Sequence, residues 1–209
     1  MAEAPPDESL RPALEALAGR DAALADAYRR CGLPPVRRSA PGFPGLIRMI
    51  IGQQVSVASA AAMVRRLEAA VSPVSAEAFL TLDDGKLREI GFSRQKVRSG
   101  RGLAEEIASG RLDLDALAEL DDDAAVVRLT RLRGIGRWTA EIYLLFALQR
   151  PDIWPAGDLA VVKAVQAVKG LAERPNLKEM RALADVWRPH RSAAARLLWH
   201  YYRHAGVAL

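Results

Sequence analysis

The chain has 209 residues, a single cysteine (Cys31) and an aromatic content of only 6%. One cysteine cannot form an intramolecular disulfide, and it cannot supply the ligands of a four-cysteine iron–sulfur cluster. Alternating apolar and polar residues, which are typical of half-buried strands, are scarce, and no apolar run is long enough to cross a membrane. These absences exclude a disulfide-stabilised scaffold, a four-cysteine iron–sulfur cluster and a membrane-spanning helix.

Alanine-rich segments with helical spacing dominate what is present. Half of the residues (50%) are hydrophobic, and the glycines and prolines mostly occur singly at the ends of these segments. The pattern predicts an all-α globule with about ten helices. Residues 1–12 are polar and proline-bearing, and we expect them to form a flexible tail that does not resemble a signal peptide. The net charge of +5 fits a nucleic-acid partner but does not require one.

A glycine-containing turn separates two helical patterns, at 124–132 and 138–148. Gly134 and Gly136 flank Ile135, and glycine permits tight turns and close backbone approach. The first amides of the following helix would point towards an anion, and Ile135 would fill the core. Positive charge is concentrated at the same place, on Arg131, Arg133 and Arg137. The segment therefore predicts a phosphate-binding hairpin.

Two other interpretations of the hairpin stay open. It could be an ordinary helix–turn–helix connection with solvated arginines. It could also be a dinucleotide-binding glycine loop, although such a loop needs a preceding strand and a third glycine, and neither is present.

One acid, Asp158, stands directly before the helical pattern 159–169, which ends at Gly170. Aspartate is a preferred N-cap residue, so capping alone would explain its position. The alternative is catalytic, because a carboxylate at the start of this helix could act on the sugar attached to a bound phosphate.

Two glutamines, Gln53 and Gln54, are predicted in an exposed turn. The preceding helical pattern ends near Gly52, and Ser56 is a suitable N-cap for the next helix. The residues alone indicate no more than polar turn residues. The segment 93–101 carries four basic residues and no acid, so it is either a second phosphate contact or a solvated helix start.

Four segments in this order resemble the helix-hairpin-helix DNA glycosylases, most closely the bacterial 3-methyladenine DNA glycosylase II branch. They are 51–56, 132–140, 155–163 and, more weakly, 187–192, and the resemblance extends from about residue 41 to about residue 199. It implies an all-α fold of two helical lobes with the active site in the cleft between them. One lobe would combine 13–40 with 155–209 and carry Asp158, and the other, 41–154, would carry the glutamine pair and the hairpin.

The resemblance also assigns roles to residues. Asp158 would assist hydrolysis of an N-glycosidic bond, Gln54 with Gln53 would form the DNA wedge, and the base would be flipped into a pocket. Trp138 stands where strand-cutting relatives have a nucleophilic lysine, which implies a monofunctional enzyme. The base pocket would contain Trp138, Tyr143, Trp187, His190 and Ile142, although core packing is the simpler role for Tyr143 and Trp187. The DNA backbone would meet Gly134, Ile135, Gly136, Arg137, Arg133 and Thr139.

The resemblance implies an enzyme of base excision repair that removes alkylated purines, of the 3-methyladenine and 7-methylguanine class, from damaged double-stranded DNA. No cofactor would be required, although Na⁺ or K⁺ could bind the backbone carbonyls of Thr130, Leu132 and Gly134. We expect no zinc, since His200 and His204 lack a third ligand. We expect a monomer in the bacterial cytoplasm, on the nucleoid and not on a membrane. The alternatives are the same fold acting on deaminated or oxidised bases, a non-catalytic hairpin DNA-binding protein, and a scaffold without a DNA role.

Overall fold

The computed structural model describes residues 4–204, in which every regular element is helical. This confirms the predicted all-α class, with more helices than the expected ten. The α-helices are α1 (Arg11–Ala18), α2 (Ala22–Cys31), α3 (Gly42–Gly52), α4 (Val57–Ala70), α5 (Ala76–Leu80), α6 (Asp84–Ile90), α7 (Arg94–Ala108), α8 (Asp122–Thr130), α9 (Arg137–Phe146), α10 (Leu159–Lys169), α11 (Leu177–Leu183) and α12 (Arg191–His204). Short 3-10 helices occupy Glu8–Leu10, Ala116–Glu119 and Asp185–Trp187. Within 4–204, no helix combines the length and the apolar character that a membrane span requires.

The chain divides into two compact units. The terminal unit combines Met1–Arg38 with Leu144–Leu209, and the central unit is Ser39–Tyr143. The first boundary lies close to the expected one after residue 40. The second lies inside α9 and not after residue 154, because the end of that helix packs within the terminal unit, where the Phe146 and Trp199 rings are 5.6 Å apart.

In the central unit, α3 contributes much of the apolar core. Leu46, Ile47, Ile50 and Ile51 are all 0% exposed, and α3 packs on α4 and α7. Three phenylalanines extend this core, since the Phe79 ring is 5.5 Å from the Phe43 ring and 5.7 Å from the Phe92 ring. The burial of this apolar surface fixes the position at which α3 ends and the Gln53–Gln54 turn begins.

In the terminal unit, α12 packs on α10, α2 and α1. The core contains Leu14, Leu17 and Leu198, together with Trp187, which is 0% exposed and stands edge-on to Trp154 at 5.2 Å. Because α10 and α12 lie side by side, residues far apart in the chain can meet at the start of α10.

Asp21 joins three segments of the terminal unit. Its Oδ1 caps α2 by accepting from the amides of Ala23 and Leu24, at 3.0 and 3.3 Å. Its Oδ2 accepts from Lys169 Nζ and Trp187 Nε1, both at 2.6 Å. Burial would raise the pKa of this carboxyl, but the hydrogen bonds from Lys169 and Trp187 outweigh burial and hold the pKa below its ordinary value.

The expected flexible tail at 1–12 is wrong for residues 4–12, and residues 1–3 lie outside the described part. Asp7 is only 4% exposed. Its amide donates to the carbonyl of Pro34 at 2.8 Å, and its Oδ2 accepts from Arg196 at 2.7 Å. A buried ion pair and backbone pairing therefore hold this segment, and local composition could not reveal either partner.

We expect Asp21→Asn to lower the free energy of unfolding at pH 7 by about 3 kcal/mol, because it removes one partner of a mostly buried ion pair. Asparagine still caps α2, so the loss reports the charge. The folded-state pKa of Asp21 is lowered, so its stabilisation is present above the unfolded-state pKa and is lost as the pH falls towards the folded-state value. Urea unfolding of both proteins at pH 7 and pH 3 tests this, and an equal difference at both pH values would contradict it.

Candidate active site

Asp158 is the N-cap of α10, and three N–H groups converge on one of its carboxylate oxygens. Oδ1 accepts from the amides of Ala160 and Val161, each at 3.0 Å, and from Trp199 Nε1 at 2.9 Å. Asp158 is half-buried. The backbone amides belong to the start of α10, where N–H groups lack intrahelical partners, so the helix dipole also favours an anion here. The carboxylate is thus fixed in direction while part of it stays accessible.

The sequence prediction missed Trp199, the side-chain partner of Asp158. This tryptophan lies on α12, and its ring faces Phe146 at 5.6 Å with an interplanar angle of 30°. The Arg37 guanidinium lies 4.3 Å from the centroid of Phe146. Arg37, Phe146, Trp199 and Asp158 therefore contact one another in series. No local sequence signal marks these contacts, because the partners are separated by long stretches of chain.

A cavity of the terminal unit lies beside Trp199. Its walls are basic and aromatic, and they are formed by Pro34, Pro35, Arg37, Phe146, Arg196, Trp199, His200 and Arg203. The tryptophan that contacts Asp158 therefore also forms part of the cavity wall.

The hairpin between α8 and α9 has the predicted form. Gly134 adopts φ +84°, in the left-handed region that favours glycine. A Cβ at Gly134 would lie 2.4 Å from Ser99 Oγ, so α7 also depends on this glycine for its close approach. Ile135 is 3% exposed and fills the core beneath the turn, as predicted. The amide of Ala140 donates to the Gly136 carbonyl at 3.0 Å, which places Gly136 at the start of α9.

The predicted backbone contacts of the hairpin differ in accessibility. Arg131 and Arg133 are exposed. Arg137 is partly engaged, because its Nε donates to Glu141 at 2.8 Å and its second nitrogen lies 3.4 Å from Asp123. Thr139 is buried at 6% exposure, but its amide belongs to the first turn of α9, so its contact with the DNA backbone stays a prediction.

The glutamine turn is held from two sides within the central unit. Gln53 Nε2 donates to the Gly134 carbonyl at 2.8 Å, and the buried Lys96 Nζ donates to the Ile51 carbonyl at 2.6 Å. Desolvation by burial lowers the pKa of Lys96. The predicted wedge role of Gln53 is therefore wrong, because its amide joins the turn to the hairpin. Lys96 likewise serves the end of α3 and is not an exposed phosphate contact.

Gln54 lies exposed in the turn, as predicted, whereas its role as a wedge stays a prediction. It adopts φ +56°, which is uncommon for a residue with a side chain. Such strain costs about 1 kcal/mol or more and persists where the surroundings impose it. Two hydrogen bonds hold the residues just before Gln54, from Lys96 to the Ile51 carbonyl and from Gln53 to the Gly134 carbonyl.

The five predicted base-pocket residues do not form one group. Trp138 is 49% exposed on α9. Tyr143 and Trp187 are 0% exposed, so their pocket roles are wrong: the Tyr143 hydroxyl accepts from the Gly42 amide, and Trp187 donates to Asp21. Ile142 is buried at 7% exposure. His190 lines a different cavity of the terminal unit, with Arg150 and Ser192.

Two of the three carbonyls predicted to bind a monovalent cation already accept hydrogen bonds. The Leu132 carbonyl accepts from the Ile135 amide at 3.1 Å, and the Gly134 carbonyl accepts from Gln53. Each carbonyl oxygen has a second lone pair, so the cation site with Thr130 stays a prediction.

Comparison with known proteins identifies the class. Residues 47–189 match the family described as HhH-GPD superfamily base excision DNA repair protein. A relative from Schizosaccharomyces pombe, named DNA-3-methyladenine glycosylase 1, is 32% identical over 161 residues, which cover 75% of this chain and 71% of the relative.

Two solved structures are similar over most of the chain. The structure of a Schizosaccharomyces pombe 3-methyladenine DNA glycosylase in complex with abasic DNA has a TM-score of 0.79 at 29% identity, over 90% of this chain and 95% of that one. The structure of a DNA-3-methyladenine glycosidase from Bacillus halodurans has a TM-score of 0.84 at 27% identity, over 93% and 89%. The chain belongs to the HhH-GPD superfamily of base excision DNA repair proteins, and the predicted resemblance is confirmed.

We expect Gly134→Ala to destabilise the protein by about 2 kcal/mol or more, because it combines left-handed backbone with a Cβ placed against Ser99. Gly136→Ala is the matched control, since a Cβ there has no neighbour within 4 Å. Urea unfolding measures both. Equal stability of the two variants would contradict the close approach of α7 to the hairpin.

Proposed function

We propose that this protein is a monofunctional DNA glycosylase that excises alkylated purines, of the 3-methyladenine and 7-methylguanine class, from duplex DNA. The observation that carries the proposal is the carboxylate of Asp158, held by the start of α10 and by Trp199. The name of the Schizosaccharomyces pombe relative supports the choice of alkylated bases.

The chemistry needs a fixed negative charge. As the N-glycosidic bond breaks, positive charge develops on the sugar ring, and a carboxylate that is already oriented stabilises it without reorganisation. The same carboxylate can orient and deprotonate the water that attacks the sugar. Alkylated purines such as 7-methylguanine are cationic and leave as neutral bases, so one carboxylate is sufficient.

The central unit would make the contacts with the DNA backbone. The amides that open α9 and the exposed Arg131 and Arg133 suit phosphate contacts, which position a duplex without reading its sequence. Gln54 would enter the space left by the flipped nucleotide and bond to the unpaired partner base. The exposed indole of Trp138 would attract a cationic base by about 0.5–2 kcal/mol beyond simple burial.

Trp138 is also the reason why we expect no cleavage of the DNA strand. A lyase step requires an amine that forms a Schiff base with the sugar, and an indole cannot do so. The product would therefore be an abasic site in an intact strand.

Asp158→Asn separates capping from catalysis. Asparagine can still accept the three hydrogen bonds through its amide oxygen, so we expect the free energy of unfolding to change by less than about 0.5 kcal/mol. We expect release of 7-methylguanine from alkylated duplex DNA to slow by about 100-fold or more, because the charge is gone. Single-turnover base release measures the rate, and urea unfolding measures stability.

Affinity for duplex DNA with an abasic-site analogue provides the control. The Asp158→Asn variant should still bind it, because the hairpin is unchanged. If the variant released bases at the rate of the unmodified protein, Asp158 would serve only as the N-cap of α10. If neither protein released an alkylated base, while both bound DNA with salt-sensitive affinity, a non-catalytic hairpin protein would be the better description.

The variant Gln54→Gly tests whether the side chain of Gln54 acts as the DNA wedge. Glycine relieves the left-handed strain, so we expect the folded protein to lose no more than about 0.5 kcal/mol of stability or to gain slightly. Base release should nevertheless slow by about tenfold, because the side chain that replaces the flipped nucleotide is missing. Gln149→Gly would show whether any loss of a surface glutamine has this effect, since Gln149 is also exposed and also adopts a positive φ, +53°. An unaffected release rate for Gln54→Gly would remove Gln54 from the mechanism.

A further inference from the structure

One buried cation of the central unit takes no part in the proposed chemistry. Lys96 lies on α7, is 8% exposed and forms no ion pair with any residue in 4–204. Its ammonium donates to the Ile51 carbonyl at 2.6 Å. Burying an ammonium without a counter-ion costs stability, so the presence of Lys96 is explained by what its hydrogen bond holds in place.

The carbonyl that Lys96 contacts lies at the end of α3. This helix ends at Gly52, and the last carbonyls of a helix lack intrahelical partners and carry partial negative charge. Ile51 is 0% exposed, so water cannot replace Lys96 as the partner of this carbonyl. The ammonium therefore fixes the last turn of α3, three residues before Gln54.

Lys96 belongs to a set of contacts that joins three segments of the central unit. α7 meets the end of α3 through Lys96, and the side chain of Gln53 joins the same turn to the Gly134 carbonyl of the hairpin at 2.8 Å. α7 also meets the hairpin directly, because a Cβ at Gly134 would lie 2.8 Å from the Cβ of Ser99. Ser99 follows Lys96 by three residues and shares its helix face. The turn, the hairpin and α7 therefore hold one another in place.

Gln54 is the residue of the turn that depends on these contacts. Its φ of +56° is uncommon for a residue with a side chain and persists where the surroundings impose it. Its side chain forms no hydrogen bond with any residue in 4–204. The direction of this side chain therefore depends on the backbone of the turn, which Lys96 and Gln53 hold.

We propose that Lys96 is a positioning residue of the DNA wedge: by holding the end of α3, it orients the side chain of Gln54 towards the space that a flipped nucleotide leaves. Gln53 acts in the same way from the side of the hairpin. This inference rests on the proposed glycosylase function and deepens it, because it gives a buried residue control over base flipping.

One consequence distinguishes a positioning role from a merely structural one. If Lys96 matters because it orients Gln54, its loss has no further effect once the side chain of Gln54 is absent. A lysine that only stabilised the fold would slow base release equally with and without Gln54, because the effects of independent residues add.

The test is a double-variant cycle on the release of 7-methylguanine from duplex DNA, under single-turnover conditions with saturating protein. Lys96→Met removes the ammonium but keeps a side chain of similar length. Alone it should slow release by about tenfold, as Gln54→Gly does, because the wedge is misdirected. Added to Gln54→Gly, it should slow release by less than about twofold further.

Gln53→Ala is the second variant, because it breaks the bond to the hairpin and leaves the core unchanged. It should slow release when Gln54 is present but not in the Gln54→Gly background, and it tests the inference even if Lys96→Met does not fold. Lys86→Met is the matched control, since Lys86 is exposed on α6 of the same unit and pairs with Glu89 at 3.0 Å. The control should leave the rate unchanged, and urea unfolding shows which variants are folded.

Fluorescence reports the wedge independently of catalysis. A 2-aminopurine placed opposite an abasic-site analogue lies at the gap that Gln54 would enter, so binding of the unmodified protein should change its fluorescence. At saturating protein, the change should be smaller by about threefold or more for Lys96→Met and for Gln54→Gly.

The outcomes separate this inference from the proposed function. Equal slowing by Lys96→Met with and without the side chain of Gln54 would overturn the inference and leave the proposed function standing. Unchanged rates for both Lys96→Met and Gln53→Ala would also overturn it. If the unmodified protein released no base, the proposed function would fail, and fluorescence would still decide the inference: the same response for the unmodified protein and Lys96→Met would overturn it.

Discussion

The convergence of three N–H groups on Asp158 Oδ1 is the interaction on which the terminal unit depends. Two of the donors are the opening amides of α10, and the third is the indole of Trp199 on α12. The same hydrogen bonds therefore begin a helix, join two helices and orient a carboxylate. The catalysis proposed for Asp158 would use the same geometry as folding, so the acid needs no separate contact to hold it in place.

Nearby cations would weaken the stabilisation of positive charge that is proposed for Asp158. The arginines close to Trp199 are neutralised to different degrees. Asp7 neutralises Arg196, and Arg37 is held against the face of Phe146, 4.3 Å from the ring centroid. Arg203 and Arg37 nonetheless keep their charge unpaired among the described residues. Desolvation, and then repulsion from Arg203 and Arg196, lower the pKa of Arg37, and Asp158 opposes this effect, so the acid and these arginines share one electrostatic environment.

Local patterns predicted the features that depend on neighbouring residues. The positive φ of Gly134, the burial of Ile135 and the capping by Asp158 all follow from residues within one turn of each other. Contacts between distant segments were not predictable: Trp199 reaches Asp158 across 41 residues of chain, and Gln53 reaches Gly134 across 81. The position of an aromatic residue in a helical pattern also does not show which way its side chain faces. A buried tryptophan therefore cannot be distinguished from an exposed one by sequence.

The bond from Gln53 to Gly134 has a mechanical consequence within the central unit. It ties the turn that carries Gln54 to the carbonyl of the hairpin glycine, and Lys96 fixes the other side of the same turn at Ile51. A left-handed conformation at a residue with a side chain persists where the surroundings impose it, and these hydrogen bonds restrain the residues just before Gln54. Under the proposed function, a phosphate bound at the hairpin and the side chain of Gln54 would be coupled through the bond from Gln53 to Gly134.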